Sequence, residues 1–260
     1  MSSPPFVKPD WTPKPLPGAR VLVTGASGGL GRALVAMLKN GNGDTIIGAH
    51  GASQKIEDVD PRIVPIQRVF EGEDDCVAVV DEFCARAGGI DALVVLSGSI
   101  QFSGHWNDMS AADWESEIAV NLNQPFYLAR AAMRRMRTQG AGSGRIVLTG
   151  TESALHGGSA TSFPYAVAKR GIECMVQGLA RDGAADGILV NGVRLGYIAS
   201  GFHQRWHNRM PEQMEERAAL VPLKRGGDPA EAAALIVYLL SSWAGFITGQ
   251  MLPLTGGDWL

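Results

Sequence analysis

The chain has 260 residues, of which 45% are hydrophobic and 19% charged, with a net charge of −3. Such a chain buries a sizeable core, which excludes a disordered protein, and it lacks the basic excess of a nucleic-acid binder. No apolar run of about 18 residues marks a membrane span. Three unpatterned cysteines (Cys76, Cys84, Cys174) offer neither a disulfide framework nor a zinc site, so a cytoplasmic setting is expected.

Six of the 14 prolines fall between Pro4 and Pro17. Residues 1–18 are therefore expected to form an extended arm without an apolar leader. It either lies on the surface as a tail or docks on a neighbouring subunit through Phe6 and Trp11. Residues 19–260 are expected to form one domain. Short β-rich runs stand at Arg20–Thr24, Thr45–Ala49, Ile63–Gln67, Ala92–Leu96, Arg145–Thr149, Leu189–Arg194 and Met251–Leu254. Helical periodicity fills Leu30–Asn40, Asp74–Ala87, Ala112–Thr138, Tyr165–Ala185 and Ala230–Ser241. The alternation predicts an α/β fold, a doubly wound, mostly parallel seven-stranded sheet with helices on both faces. A full crossover helix barely fits the connection His50–Arg62, so a short turn of helix or a loop is expected there. Asp228, Pro229 and Glu231 read as the cap and first turn of the last helix.

The first strand runs into Thr24-Gly25-Ala26-Ser27-Gly28-Gly29-Leu30-Gly31 and then a helix. Gly25 permits the sharp turn, Gly29 lets backbone approach a pyrophosphate, and Gly31 lets the helix pack close. Phosphates sit well at such a helix N-terminus, where free N–H groups and the helix dipole favour anions. Further along, Tyr165 and Lys169 share one helix face at i, i+4. A neighbouring ammonium stabilises phenolate, so Lys169 is expected to lower the Tyr165 pKa. This pair follows the fifth strand, at the end of the sheet where ligands gather.

These residues, with Val120-Asn121-Leu122 and Ile247-Thr248-Gly249-Gln250 followed by Gly256-Gly257, resemble the short-chain dehydrogenase/reductases, including their 3-oxoacyl reductases, from about residue 19 onward. The resemblance implies a Rossmann-like oxidoreductase that transfers a hydride between a nicotinamide cofactor and a small carbonyl or alcohol, such as a 3-oxoacyl thioester. Tyr165 would then be the general acid or base. Lys169 would hold the nicotinamide ribose, and Asn121 would fix a relay water. A hydroxyl after the fifth strand would steady the substrate oxygen. The different-class alternative is a nucleotide-binding scaffold or sensor with little catalysis.

The sequence departs from the family in places. Thirteen residues before Tyr165, where the family's serine usually stands, is Glu152. Thr151 is the favoured hydroxyl and Ser153 the flanking candidate. After the fourth strand only Gly98 of the usual Asn-Asn-Ala-Gly remains. Gly196, Ile198 and Ser200 still fit the nicotinamide-facing turn. The second strand ends without an acid, which would accept from a ribose 2′-OH and repel a 2′-phosphate. Ser53, Lys55 and His50 are candidates to meet a phosphate, and Arg68 adds a cation near the adenine. NADP(H) is therefore preferred, with NAD(H) the alternative, although Gly28 replaces a basic residue common among NADP users.

Residues 200–222 are expected to form a substrate lid. Phe202, Trp206 and Met210 would wall an apolar pocket opposite Gln101, Phe102, Trp106, His156 and Phe163. No metal is expected, because His203 and His207 have no third ligand. Arg134, Arg135 and Arg137 suit a helix C-terminus better than a carrier-protein docking site. The two long helices, with apolar stripes including Ala131, Met175 and Leu179, are those that commonly pair subunits in the family, implying a homotetramer.

Overall fold

A computed structural model describes residues 11–53, 56–140, 142–205 and 210–258. Seven strands form one sheet: β1 (Arg20–Thr24), β2 (Ile46–Gly51), β3 (Ile63–Gln67), β4 (Ala92–Val95), β5 (Arg145–Thr151), β6 (Leu189–Leu195) and β7 (Met251–Leu254). Every pairing is parallel, in the order β3-β2-β1-β4-β5-β6-β7. The chain therefore reverses its direction of travel across the sheet between β1 and β4. A crevice opens at such a switch point, beyond the carboxyl ends of the strands.

Successive side chains of β1 show why both faces are covered. Leu22 joins one core, with residues of helices α2 (Glu73–Ala87), α4 (Gln124–Gln139) and α5 (Phe163–Gly183). Val21 and Val23 join the other, with α1 (Gly29–Gly41) and α8 (Pro229–Leu239). Period-two alternation in a strand covered on both faces gives two apolar layers rather than one.

The last helix starts as its sequence predicts. Asp228 accepts from the Ala230 N–H at 2.7 Å, and Glu231 accepts from the Asp228 N–H at 2.7 Å. Between β2 and β3 no helix is present among the described residues. The expected single helix Ala112–Thr138 is instead three pieces. α3 (Ala111–Ile118) opens on a Ser110/Asp113 capping box, a π turn occupies Ala119–Asn123, and α4 follows. Apolar periodicity does not reveal such a one-turn widening. Ala131 belongs to the core, and the half-buried Met175 and Leu179 pack against it.

The arm is not free where it is described. Pro13 and Pro15 are buried, and Asn42 donates to the Pro15 carbonyl at 2.9 Å. The Leu16 N–H donates to the Leu240 carbonyl at 3.2 Å. Trp11 remains exposed, and Phe6 lies outside the described residues. The segment expected to form the lid contains α6 (Phe202–Arg205) and α7 (Pro211–Leu220). It is tied down by an ion pair of Arg217 with Asp258 and by Leu223 N–H donating to the Gly256 carbonyl at 3.1 Å.

Candidate active site

A cleft of about 700 Å³ lies beyond the carboxyl ends of the strands, bounded by the glycine turn, the turns after β2, β4, β5 and β6, the first turns of α5, and the lid. Gly25, Ser27, Gly28, Gly29, Leu30, Gly31, His50, Ser53, Gly98, Thr151, Ser153, Tyr165, Lys169, Gly196, Ile198 and Ser200 all line it. Two expected residues do not. Arg68 pairs with Asp75 at 3.1 Å, and Asn121 is fully buried beneath the wall. Lys55 and Trp206 lie outside the described residues.

The glycine turn is shaped by the chain itself. Gly25 has φ +74°, and a Cβ there would stand 2.8 Å from the Ser97 nitrogen. A Cβ on Gly29 would overlap the Ser200 carbonyl, so this glycine admits the lid backbone. The N-terminus of α1 carries no side-chain cap and no acid in its first turn, so its N–H groups suit an anion. Arg205 of α6 holds its Nη2 3.8 Å from where a Gly28 Cβ would stand. A lid cation thus occupies space beside the position that lacks a basic side chain.

At the far end, His50 stacks on Phe70 with ring centroids 4.4 Å apart. Its Nε2–H donates to the Arg68 carbonyl at 2.8 Å, and burial pushes its pKa down. His50 thus lines the cleft as a ring whose burial disfavours its charged form. Its buried Nδ1 has no partner among the described residues and is an available acceptor.

At the reaction end, β5 runs two residues beyond its expected stop and carries Thr151 onto the cleft wall. Thr151 Oγ1 and Ser153 Oγ are hydrogen-bonded at 3.1 Å. Glu152 does not take the usual serine's role, because its carboxylate is held by Arg194 at 2.9 Å. Lys169 Nζ lies 5.6 Å from the Tyr165 ring centroid and donates to the Thr149 carbonyl at 3.2 Å.

The expected lowering of Tyr165 by Lys169 is overturned. Burial pushes the phenol above its ordinary value, and the Glu117 charge pushes the same way. Burial also pulls Lys169 down to about 8, against the opposing pull of Glu117. Desolvation is the larger of the two effects at the phenol. The resulting neutral phenol is the form that donates a proton.

The pocket wall differs from expectation. Gln101, His156 and Phe202 line the cleft, whereas Phe102, Trp106, Phe163 and Met210 do not. Trp106 and Phe163 meet edge-on at 6.5 Å, and Met210 is exposed. Tyr197, Gln124, Arg217 and Asp258 line it without having been singled out. Tyr197, one residue past Gly196, carried the only sequence signal. Among the described residues, no group of three His, Cys, Asp or Glu side chains is placed to hold a metal, and no helix is long and apolar enough to cross a membrane.

Residues 25–258 match the family model described as enoyl-(acyl carrier protein) reductase. The 3-oxoacyl-[acyl-carrier-protein] reductase FabG of Vibrio cholerae is 31% identical over 260 residues, covering 94% of this chain and 99% of that protein. The Nodulation protein G of a Rhizobium species is 31% identical over 247 residues, covering 93% and 97%. Among solved structures, a short-chain dehydrogenase/reductase (glucose/ribitol dehydrogenase) from Brucella melitensis superposes with a TM-score of 0.83 at 27% identity, covering 96% of this chain and all of that one. With the sheet order, the glycine turn and the Tyr165–Lys169 face in place, the chain belongs to the short-chain dehydrogenase/reductases and is an NAD(P)-dependent oxidoreductase of carbonyl and alcohol substrates.

Proposed function

We propose that this enzyme reduces a carbonyl compound, such as a 3-oxoacyl thioester or another oxo compound, with NADPH preferred over NADH. The observation that carries the reading is the meeting of Tyr165, Lys169 and the Thr151/Ser153 hydroxyls on one cleft with the glycine turn. The nicotinamide cofactor, when bound, supplies or takes the hydride. Tyr165 donates its phenolic proton to the substrate oxygen. A hydroxyl of the Thr151–Ser153 pair, Thr151 being favoured, steadies that oxygen. Lys169 is the cation behind the phenol. The Asn121 side chain is spent on Ser99 and Glu117, so any relay water it holds rests on its main-chain carbonyl.

Support for NADPH is the absence of a carboxylate after β2, Ser53 on the cleft wall, and Arg205 beside Gly28. Buried His50 and the Asp75-bound Arg68 lend none. We further propose a homotetramer. Its support is the family's habit of pairing subunits, together with exposed Phe163 and Val167 on α5 and exposed Trp243 and Phe246 before β7. Arg135 and Arg137 are paired to Asp81, Asp182 and Asp186 within the chain, so the arginine cluster adds no carrier-protein site to this reading.

A panel of oxo compounds and alcohols, assayed with both nicotinamides, tests the activity. Turnover of at least one oxo compound is expected, and none with either cofactor would sink the reading. Titration should give a lower Kd for NADPH, and a lower Kd for NADH reverses the preference.

A further inference from the structure

Glu117 lies in the last turn of α3, and only 1% of its surface is accessible. Its carboxylate meets three N–H donors. Oε1 accepts from Asn121 Nδ2 at 2.8 Å. Oε2 accepts from the backbone N–H groups of Gln101 at 2.8 Å and Phe102 at 3.3 Å. A protonated carboxyl would turn a hydroxyl toward one of these donors, so the pattern calls for the ionised form. Among the described residues no cation lies within ion-pair distance of it. A buried charge is costly unless something compensates it.

The compensation is laid out across Asn121. Its Nδ2 also donates to the Ser99 carbonyl at 2.7 Å, and its Oδ1 accepts from the Ser99 N–H at 3.3 Å. Asn121 therefore clamps the loop after β4 onto the π turn, with Glu117 behind it. On its other side, Asn121 Oδ1 and Lys169 Nζ lie 3.0 and 3.3 Å from one point, the place of an absent Cβ on Gly98. Glu117, the Asn121 amide and the Lys169 ammonium are thus stacked in sequence. The titratable groups of α5 that face this stack are Lys169 and Tyr165. The loop contributes main-chain N–H groups, and the π turn contributes Asn121.

We propose that Glu117 is a positioning residue of the active site: an ionised carboxylate that holds the Asn121 turn against the 99–102 loop and keeps the buried Lys169 ammonium charged. It touches neither substrate nor cofactor space, since it does not line the cleft. The direction of the Coulomb effect agrees: Glu117 pushes Lys169 up, and Lys169 pulls Glu117 down against the desolvation that raises it. Without the carboxylate, Lys169 would lose its proton at lower pH.

The test reads Lys169 directly by 13Cε-lysine NMR titration of the full chain, its signal assigned by its absence in Lys169→Met. In Glu117→Gln the Lys169 midpoint should fall by at least half a pH unit, and turnover at pH 8 should fall about tenfold. In Glu117→Asp, which keeps the charge, the midpoint should stay within about 0.3 unit of wild type. An unchanged midpoint in folded Glu117→Gln overturns the proposal. So does an equal fall in both variants, because shape rather than charge would then govern the site. If Glu117→Gln does not fold, the reciprocal variant answers the same question, since coupling between two sites is mutual. In Lys169→Met the Glu117 carboxyl, followed by 13Cδ-glutamate NMR and assigned by its loss in Glu117→Asp, should titrate at higher pH than in wild type. An unmoved carboxyl overturns the proposal.

Discussion

The two ends of the cleft are built on opposite plans. At the reaction end, polar groups are buried and nearly all spoken for: Asn121 on Ser99 and Glu117, Glu152 on Arg194, Lys169 on Thr149. At the adenosine end, the turn after β2 is small and thinly functionalised. Its buried histidine keeps one nitrogen unused, and its nearby arginine is engaged elsewhere. Chemistry demands fixed geometry, because misplacing a reacting group by a fraction of an ångström costs rate. Nucleotide binding demands room and backbone donors, which glycines and a helix N-terminus supply. The contrast predicts that substitutions at one end remove turnover and spare binding, while those at the other do the reverse.

The largest effect is expected from Tyr165→Phe. Loss of the proton donor should lower turnover by about 10²–10⁴-fold while cofactor Kd stays within roughly twofold. A Kd that rises in step with lost turnover would erase the distinction between the ends. Next come Thr151→Ala and Ser153→Ala. The one that steadies the substrate oxygen should lose about 10²-fold in kcat, and the other should lose far less. Equal losses would mean that the 3.1 Å hydroxyl pair acts as a unit.

Gly29→Ala moves the question to the glycine turn. Its methyl would drive into the Ser200 carbonyl, costing about 1–3 kcal/mol as overpacking does. Calorimetry should show a lower Tm, and titration a weaker cofactor. A variant with both unchanged would mean that the lid simply yields. A pH series sharpens the reaction end. Lys169, lowered to about 8, keeps its proton below that value, so kcat/KM for reduction should fall as pH rises through about 8. A profile flat to high pH would separate Lys169 from the chemistry. The smallest effect belongs to Arg205→Ala. An exposed cation near a phosphate contributes about 1 kcal/mol, roughly fivefold in Kd. Selective weakening of NADPH would place the contact at the 2′-phosphate, and equal weakening of both cofactors would place it at the pyrophosphate. No change in either would remove Arg205 from the cofactor's surroundings.

The same division explains what could be read from the sequence. The strands, the glycine turn and the Tyr165–Lys169 face were legible, because each rests on local periodicity or fixed spacing. Thr151 and Ser153 were both named and both line the cleft, but spacing does not say which hydroxyl faces the substrate. Glu117 passed unnoticed, since a glutamate in an amphipathic helix reads as solvent-facing until the loop after β4 folds over it. The surroundings of Arg68 and His50 were hidden from the sequence for a related reason. Asp75 claims the first, and burial beside Phe70 disfavours charge on the second; both depend on tertiary neighbours. Arg205 lies in the segment expected to form the lid. Its place beside Gly28 follows from the lid's path across the glycine turn.

The π turn at Ala119–Asn123 has a geometric consequence. It inserts one extra residue into what would otherwise be a continuous helix. One residue is about 100° of rotation at 3.6 residues per turn. Helix α3, which presents Glu117 to the loop after β4, is thereby out of phase with α4, which presents Leu128, Ala132 and Met136 to the sheet. Two faces that a regular helix would hold in fixed relation are set independently. Deleting Val120 would restore a regular helix and rotate either Asn121 away from Ser99 or the core stripe away from the sheet, so this single-residue insertion keeps catalytic wall and hydrophobic core compatible.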